Sequence, residues 1–234
     1  MLASSLYAQS NMNVGALQRA IEAQASRQDN FPYVLQATLE FPYIDGLSFA
    51  TSLYTIGRGW SGVDAGYARP PASTEQVFHL EKYVENEAPL AVDWADVLGA
   101  LPQGWRKVEA GVSGELGWRV LLGAQLTQSA ASVAAAGWGG DRYIFLEGPD
   151  GALLYVESQR WDTAKDAAEF ASAYDGFLRQ QQAQMQPAPP GGVRAMLNGG
   201  LHEVRVQGAR VLIIVTTDAT LSPRVTPLFP PFNS

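Results

Sequence analysis

The chain contains no cysteine, which removes thiol nucleophiles, thiolate metal sites and disulfides together. Histidine is nearly as scarce, with only His79 and His202. A zinc-hydrolase helix needs two histidines at i and i+4 with a glutamate between them, and no such pair exists. The expectation is a chain without a catalytic residue, metal ligand or cofactor of its own. Positive charge is short as well: 16 Lys and Arg stand against 23 Asp and Glu, a net charge of -7. Nucleic-acid binding needs a basic footprint to displace counterions, and no run of Lys and Arg supplies one. No stretch reaches the ~18 apolar residues of a membrane span. Met1 to Ser10 lacks the basic start of a secretory signal, and the compartment stays open between cytoplasm and export to the envelope.

What is present is ordinary globular material, 47% hydrophobic and 17% charged, within the usual range for a folded chain. A chain of 234 residues buries roughly 70% of its unfolded surface. Its organisation reads as helices first and then an antiparallel sheet with packed helices, the α+β pattern. The boundary is placed near residue 105, giving a helical region 1–104 and an α+β region 105–234, possible parts of one continuous domain.

Residues 1–25 carry helical spacing. Phe31-Pro32 and Phe41-Pro42 punctuate the next stretch, because proline disfavours a helical residue before it. Tyr43, Leu47, Ala50 and Tyr54 then form one helical stripe, stopped by Gly57 and Gly59. Val63–Tyr67 is a short helix ended by Pro70-Pro71. Ser73 and Gln76 form a capping box for a helix running towards Tyr83. Further on, Lys107–Val112 reads as strand, Leu116–Leu126 and Ser129–Ala136 as helices, and Gly137-Trp138-Gly139-Gly140 as the stop of the second. Tyr143–Glu147 and Ala152–Glu157 flank Asp150-Gly151, a hairpin signal. Asp162 or Thr163 caps a helix with Ala167, Phe170, Ala171, Tyr174, Phe177 and Leu178 on one stripe. Gln180–Gly192 reads as a mobile loop. Strands near Val193–Leu197, Leu201–Val206 and Arg210–Thr216 come next, then an irregular proline-rich tail between Pro223 and Pro231.

Gly57-Arg58-Gly59-Trp60-Ser61-Gly62 spells the dinucleotide motif, but that motif works only between a strand and a helix. Here helical periodicity precedes it, so a loop between helices is expected. His202 shares strand parity with Val204 and Val206 and is expected to be partly buried and hydrogen-bonded. Trp94, Trp105 and Trp118 are assigned to the core. Glu75 and His79 lie four apart and share a helix face, with Tyr83 one turn on; these three are the candidates for a cleft. A hydrolase using carboxylates around Glu75 and His79 is the reading they would support.

Phe41-Pro42-Tyr43-Ile44-Asp45-Gly46, Gly59-Trp60 and the run from Pro70 to Tyr83 (PPASTEQVFHLEKY) resemble a group of poorly characterised bacterial and archaeal zincin-like proteins. Their pattern runs close to FPY-x-x-G, GGW and PP-x-STEQ-I-L-H-P-E-K-Y. Gly137–Tyr143 and Trp161-Asp162-Thr163 resemble the same group, and the resemblance spans about residues 35–175. Intact members carry an HExxH helix upstream of FPY; this chain has no equivalent, and it has Leu80 where the pattern has proline. The resemblance implies a non-catalytic zincin-like protein that binds a protein or peptide partner. Alternatively, it implies the C-terminal part of a metallopeptidase whose zinc helix lies outside this chain, in which His79 would stabilise an oxyanion.

Overall fold

The computed structural model describes residues 31–232. The helix expected within residues 1–25 lies outside them. The chain divides into two compact units, one ending at Glu87 and one spanning Ala88–Ser234.

In the first unit, α1 (Tyr33–Ile56) runs for 24 residues straight through Pro42. This corrects the expected break. Pro42 lacks the N–H that would bond the Thr38 carbonyl, at an expense of ~3 kcal/mol. Packing to either side offsets it: Phe41 meets Phe78 at 5.3 Å and Phe49 meets Tyr83 edge-on at 4.9 Å. The glycine-rich motif joins α1 to α2 (Trp60–Ala68), a loop between helices as expected. Its glycines let the two helices touch: a Cβ on Gly62 would lie 2.0 Å from the Leu53 carbonyl oxygen. The helix expected to run on to Tyr83 is instead two, α3 (Thr74–Phe78) and α4 (Leu80–Val84), jointed at His79 with φ -121 and ψ 89. Ser73 Oγ accepts from Gln76 N, whereas the Gln76 side chain bonds Ala72 N at 2.7 Å and the Glu87 carbonyl at 2.6 Å.

The second unit is built on seven antiparallel strands in the order β1-β2-β3-β7-β6-β5-β4. They are β1 (Arg106–Gly111), β2 (Trp138–Glu147), β3 (Leu153–Trp161), β4 (Gln184–Met185), β5 (Val193–Leu197), β6 (Gly200–Gln207) and β7 (Arg210–Thr216). Helices α5 (Gly114–Gly123), α6 (Gln128–Ala135) and α7 (Ala164–Gln180) are interspersed, and α8 (Ser222–Val225) comes after the last strand. Together with the N-terminal helices this is an α+β protein. Among the described residues no helix is long and apolar enough to cross a membrane.

Two expectations change. Gly137 turns out of α6 at φ +79, but β2 begins at Trp138, so the glycine run is strand. Gly139 and Gly140 are small because Leu90 lies on them; a Cβ on Gly140 would sit 2.4 Å from its carbonyl oxygen. The segment expected to be a mobile loop contains β4, paired with β5. The hairpin turn matches its expectation: Asp150 and Gly151 both take left-handed φ, 58 and 75, as a tight Asp-Gly turn requires.

Alternation of side chains across each strand gives the sheet two covered faces. On one, Trp161, Ile213, Val204 and Ala195 pack under α5, α6 and α7, whose stripe from Ala167 to Leu178 is buried throughout. Thr163, with Asp166, caps α7 in a capping box. On the other, Leu146, Leu154, Val156 and Ile214 pack under the segment around Val97 and the C-terminal turns at Leu221–Phe232. Trp118 belongs to the first core; Trp94 and Trp105 pack against the second.

Candidate functional site

The residues nominated from sequence lie together in α3 and α4, with their polar ends in structural bonds. Glu75 is buried and holds Lys82 Nζ at 2.7 Å, while the same ammonium reaches Glu87 at 2.7 Å. His79 faces Glu81, Nδ1 to Oε1 3.7 Å. Tyr83 is buried beneath the Arg69 guanidinium and donates its hydroxyl to the Arg69 carbonyl at 2.8 Å.

The polar chemistry of the second unit gathers on β2 and β3. Along β3, Leu154, Val156 and Ser158 turn to one face, and Tyr155, Glu157, Gln159 and Trp161 to the face under the helices. Glu157 is fully buried there, as is Asp141 but for 5%. The start of α5 pins both. Asp141 accepts from Ser113 N at 2.7 Å, Gly114 N at 2.8 Å and Trp138 Nε1 at 2.7 Å. A strand carboxylate thus does the work of a helix cap, with the dipole end facing it. Glu157 accepts from Trp118 Nε1 and Gln159 Nε2, both at 2.9 Å, from Ser113 Oγ at 2.9 Å, and from the Tyr155 hydroxyl in a short bond. Gln159 in turn accepts from Trp161 Nε1 at 3.0 Å. Tyr143 stacks on Tyr155 at 5.5 Å, and Gly111 opposite leaves room for its ring.

Burial pushes the Glu157 carboxyl up to about 7, the Asp141 charge adding to the effect and the donors opposing it. Burial raises Asp141 as well, against its two backbone bonds. A carboxylate offers about four lone-pair sites, and Glu157 has four donors. When protonated, it can donate to the hydroxyl of Ser113 or Tyr155, both of which rotate. In neither state is a position left for a metal or a substrate, so this group is architecture.

Tyr155 links that network to a cavity of about 370 Å³ on the same face. Tyr155, Ile213, Val215 and His202 form its floor, and Trp118 and Tyr174 are among its walls. Its lining is almost entirely apolar. Beside Tyr155 and Gln181, its polar members are a bonded pair: the Tyr174 hydroxyl meets His202 Nδ1 at 2.9 Å, which fulfils the expectation of a bonded, part-buried histidine. Burial holds His202 below the ordinary imidazole range, and burial raises Tyr174. The histidine is therefore neutral and the tyrosine protonated at pH 7. The other ring nitrogen, Nε2, has no partner among the described residues, and it donates or accepts according to the tautomer that the Tyr174 bond selects.

Sequence reasoning singled out His202 but passed over Asp141, Tyr155, Glu157 and the cavity. A signal existed in the β3 sequence LLYVESQRW, where a carboxylate sits mid-strand on the same parity as Tyr155 and Trp161.

Residues 102–225 match the family model described as Domain of unknown function (DUF8575). No curated protein matches the sequence. Among solved structures, the extracellular domain of PknH from Mycobacterium tuberculosis is similar at 10% identity, over 62% of this chain and 96% of that one, with a TM-score of 0.38.

Proposed function

Given that the chain belongs to the DUF8575 family, and that the matched span 102–225 holds both the buried network and the cavity, we propose that this protein is a non-catalytic binding module for a small neutral molecule. The observation that carries this reading is the cavity of about 370 Å³, apolar but for Tyr155, Tyr174, Gln181 and His202. That size falls in the range of small-molecule sites, ~300–1,000 Å³, which are mostly apolar with a few placed polar groups. The ligand is a largely apolar molecule with one hydrogen-bonding group for His202 Nε2. An uncharged lining favours an uncharged guest, since an ion would lose its hydration without compensation. A concave site of this size suits a small molecule better than the protein or peptide partner expected from sequence.

Ligand-observed NMR with a set of neutral aromatic fragments tests this. Hits should lose binding to Val215→Trp, which fills the cavity from its floor. Hits bearing a hydrogen-bonding group should weaken about tenfold with His202→Leu, the worth of one hydrogen bond. Hits that bind Val215→Trp unchanged would place the site elsewhere.

The resemblance to zincin-like proteins supports the same non-catalytic reading of this sequence from a second side, since its residues hold no HExxH. Native mass spectrometry of the purified chain checks it, and stoichiometric zinc would end it.

A further inference from the structure

The sheet face opposite the cavity carries arginines whose hydrogen-bonding capacity is not filled among the described residues. Arg160 and Arg210 are directly opposed on β3 and β7, an arrangement in which like charges repel. The Nε of each is buried without a hydrogen-bond partner. Among the described residues the carboxylate beside them is Asp93, 64% exposed and 3.5 Å from Arg210 Nε. One row along, Arg142 pairs in register with Ser158, and its guanidinium lies over the Trp94 ring at 5.1 Å. The Ser158 hydroxyl has no partner among the described residues.

The same face shows what a satisfied arginine looks like in this protein. Arg194 and Arg205 clamp the fully buried Glu203 at 2.7 and 2.6 Å. Among the described residues no buried acid serves Arg142, Arg160 or Arg210, and Asp93 beside Arg210 is exposed. These three stand on adjacent strands about 4.8 Å apart, so their forks can converge on one small group.

We propose that Arg142, Arg160, Arg210 and Ser158 form a binding site for a divalent tetrahedral oxyanion of the phosphate class. Three guanidinium charges less that of Asp93 leave two positive charges, which a phosphate dianion matches. Arginine forks present paired donors at the spacing of phosphate oxygens, and stacking on Trp94 holds one fork in place. The chain's net charge of -7 repels an extended polyanion, so the site selects a small anion over nucleic acid. This site is independent of the apolar cavity.

Titrating inorganic phosphate at constant ionic strength, with chloride as the balancing ion, tests the proposal by tryptophan fluorescence and by thermal unfolding. Saturable binding of one phosphate per chain is expected, weakened at least tenfold by Arg160→Gln and by Arg210→Gln and retained in Arg106→Gln, which alters a remote surface pair. Arg160→Lys, which keeps the charge and loses the fork, should fall between; circular dichroism shows that each variant is folded. Phenyl phosphate run in parallel identifies the source: tighter binding than phosphate points to a phosphate ester, equal binding to the free ion. A response that tracks ionic strength alone, or equal affinity in folded Arg160→Gln and Arg210→Gln, overturns the site.

Discussion

On the sheet face beneath α5, α6 and α7, four donors converge on one buried glutamate and three on one buried aspartate, so both of these carboxylates are met within the fold. On the opposite face an apolar core lies beside the buried Glu203 with its two arginines, and the margin carries Arg160 and Arg210 opposed, their Nε atoms without a hydrogen-bond partner among the described residues. The contrast teaches how to separate architecture from function in one sheet. Buried charge that is fully bonded specifies the packing of a helix on a strand. Charge left short of hydrogen bonds among the described residues, as on Arg160 and Arg210, is the ground for the anion site proposed above.

Breaking the bonded face should have the largest effect. Glu157→Leu strips the acceptor from two buried and two part-buried donors and should lower the unfolding free energy by about 4 kcal/mol, read by chemical denaturation. Leu146→Ala makes the equivalent cut in the apolar face, where the side chain is completely buried; a cavity of that size should cost about 3 kcal/mol. Trp118→Phe keeps the ring against Phe170 but deletes one bond to Glu157, with an expected loss of about 2 kcal/mol. The smallest effect belongs to the unpartnered margin. Arg160→Gln in phosphate-free buffer should change stability by no more than about 0.5 kcal/mol, in the stabilising direction, because it relieves the repulsion from Arg210.

Much of the second unit was readable from its sequence, because period and turn chemistry agree there. The stripe from Ala167 to Leu178, the Thr163 cap and the Asp150-Gly151 turn each have one local cause, and each stands where that cause puts it. Local rules failed where packing outranked them. Pro42 lies inside α1, held by aromatic contacts with Phe78 and Tyr83 that no short window reveals. Trp138–Gly140 joined β2 because Leu90, far upstream, needed bare backbone to lie against. His79 became a joint between two short helices, not a point on the face of one. The cavity was hidden for a related reason: its lining comes from two helices and several strands, and only the sheet order brings Tyr155, Tyr174 and His202 together. Asp141 and Glu157 are separated by a hairpin, so their shared dependence on Ser113 is a fact of register.

The sharpest test of the bonded face is the pH dependence of Glu157→Gln. Gln can keep all four contacts, accepting from Trp118 and Gln159 and donating to the hydroxyls of Ser113 and Tyr155. In the native chain Glu157 is raised from an ordinary 4.5 to about 7, so the folded state binds the extra proton. Its stabilising contribution is complete below about pH 4.5 and is lost as pH rises through about 7, a change of about 3 kcal/mol. Unfolding free energies from pH 4 to 8 should therefore fall for the native chain relative to Glu157→Gln, which should match it in acid and exceed it above neutrality. Parallel curves, or a variant weaker by several kcal/mol at every pH, would contradict the account of Glu157 as a saturated structural carboxyl.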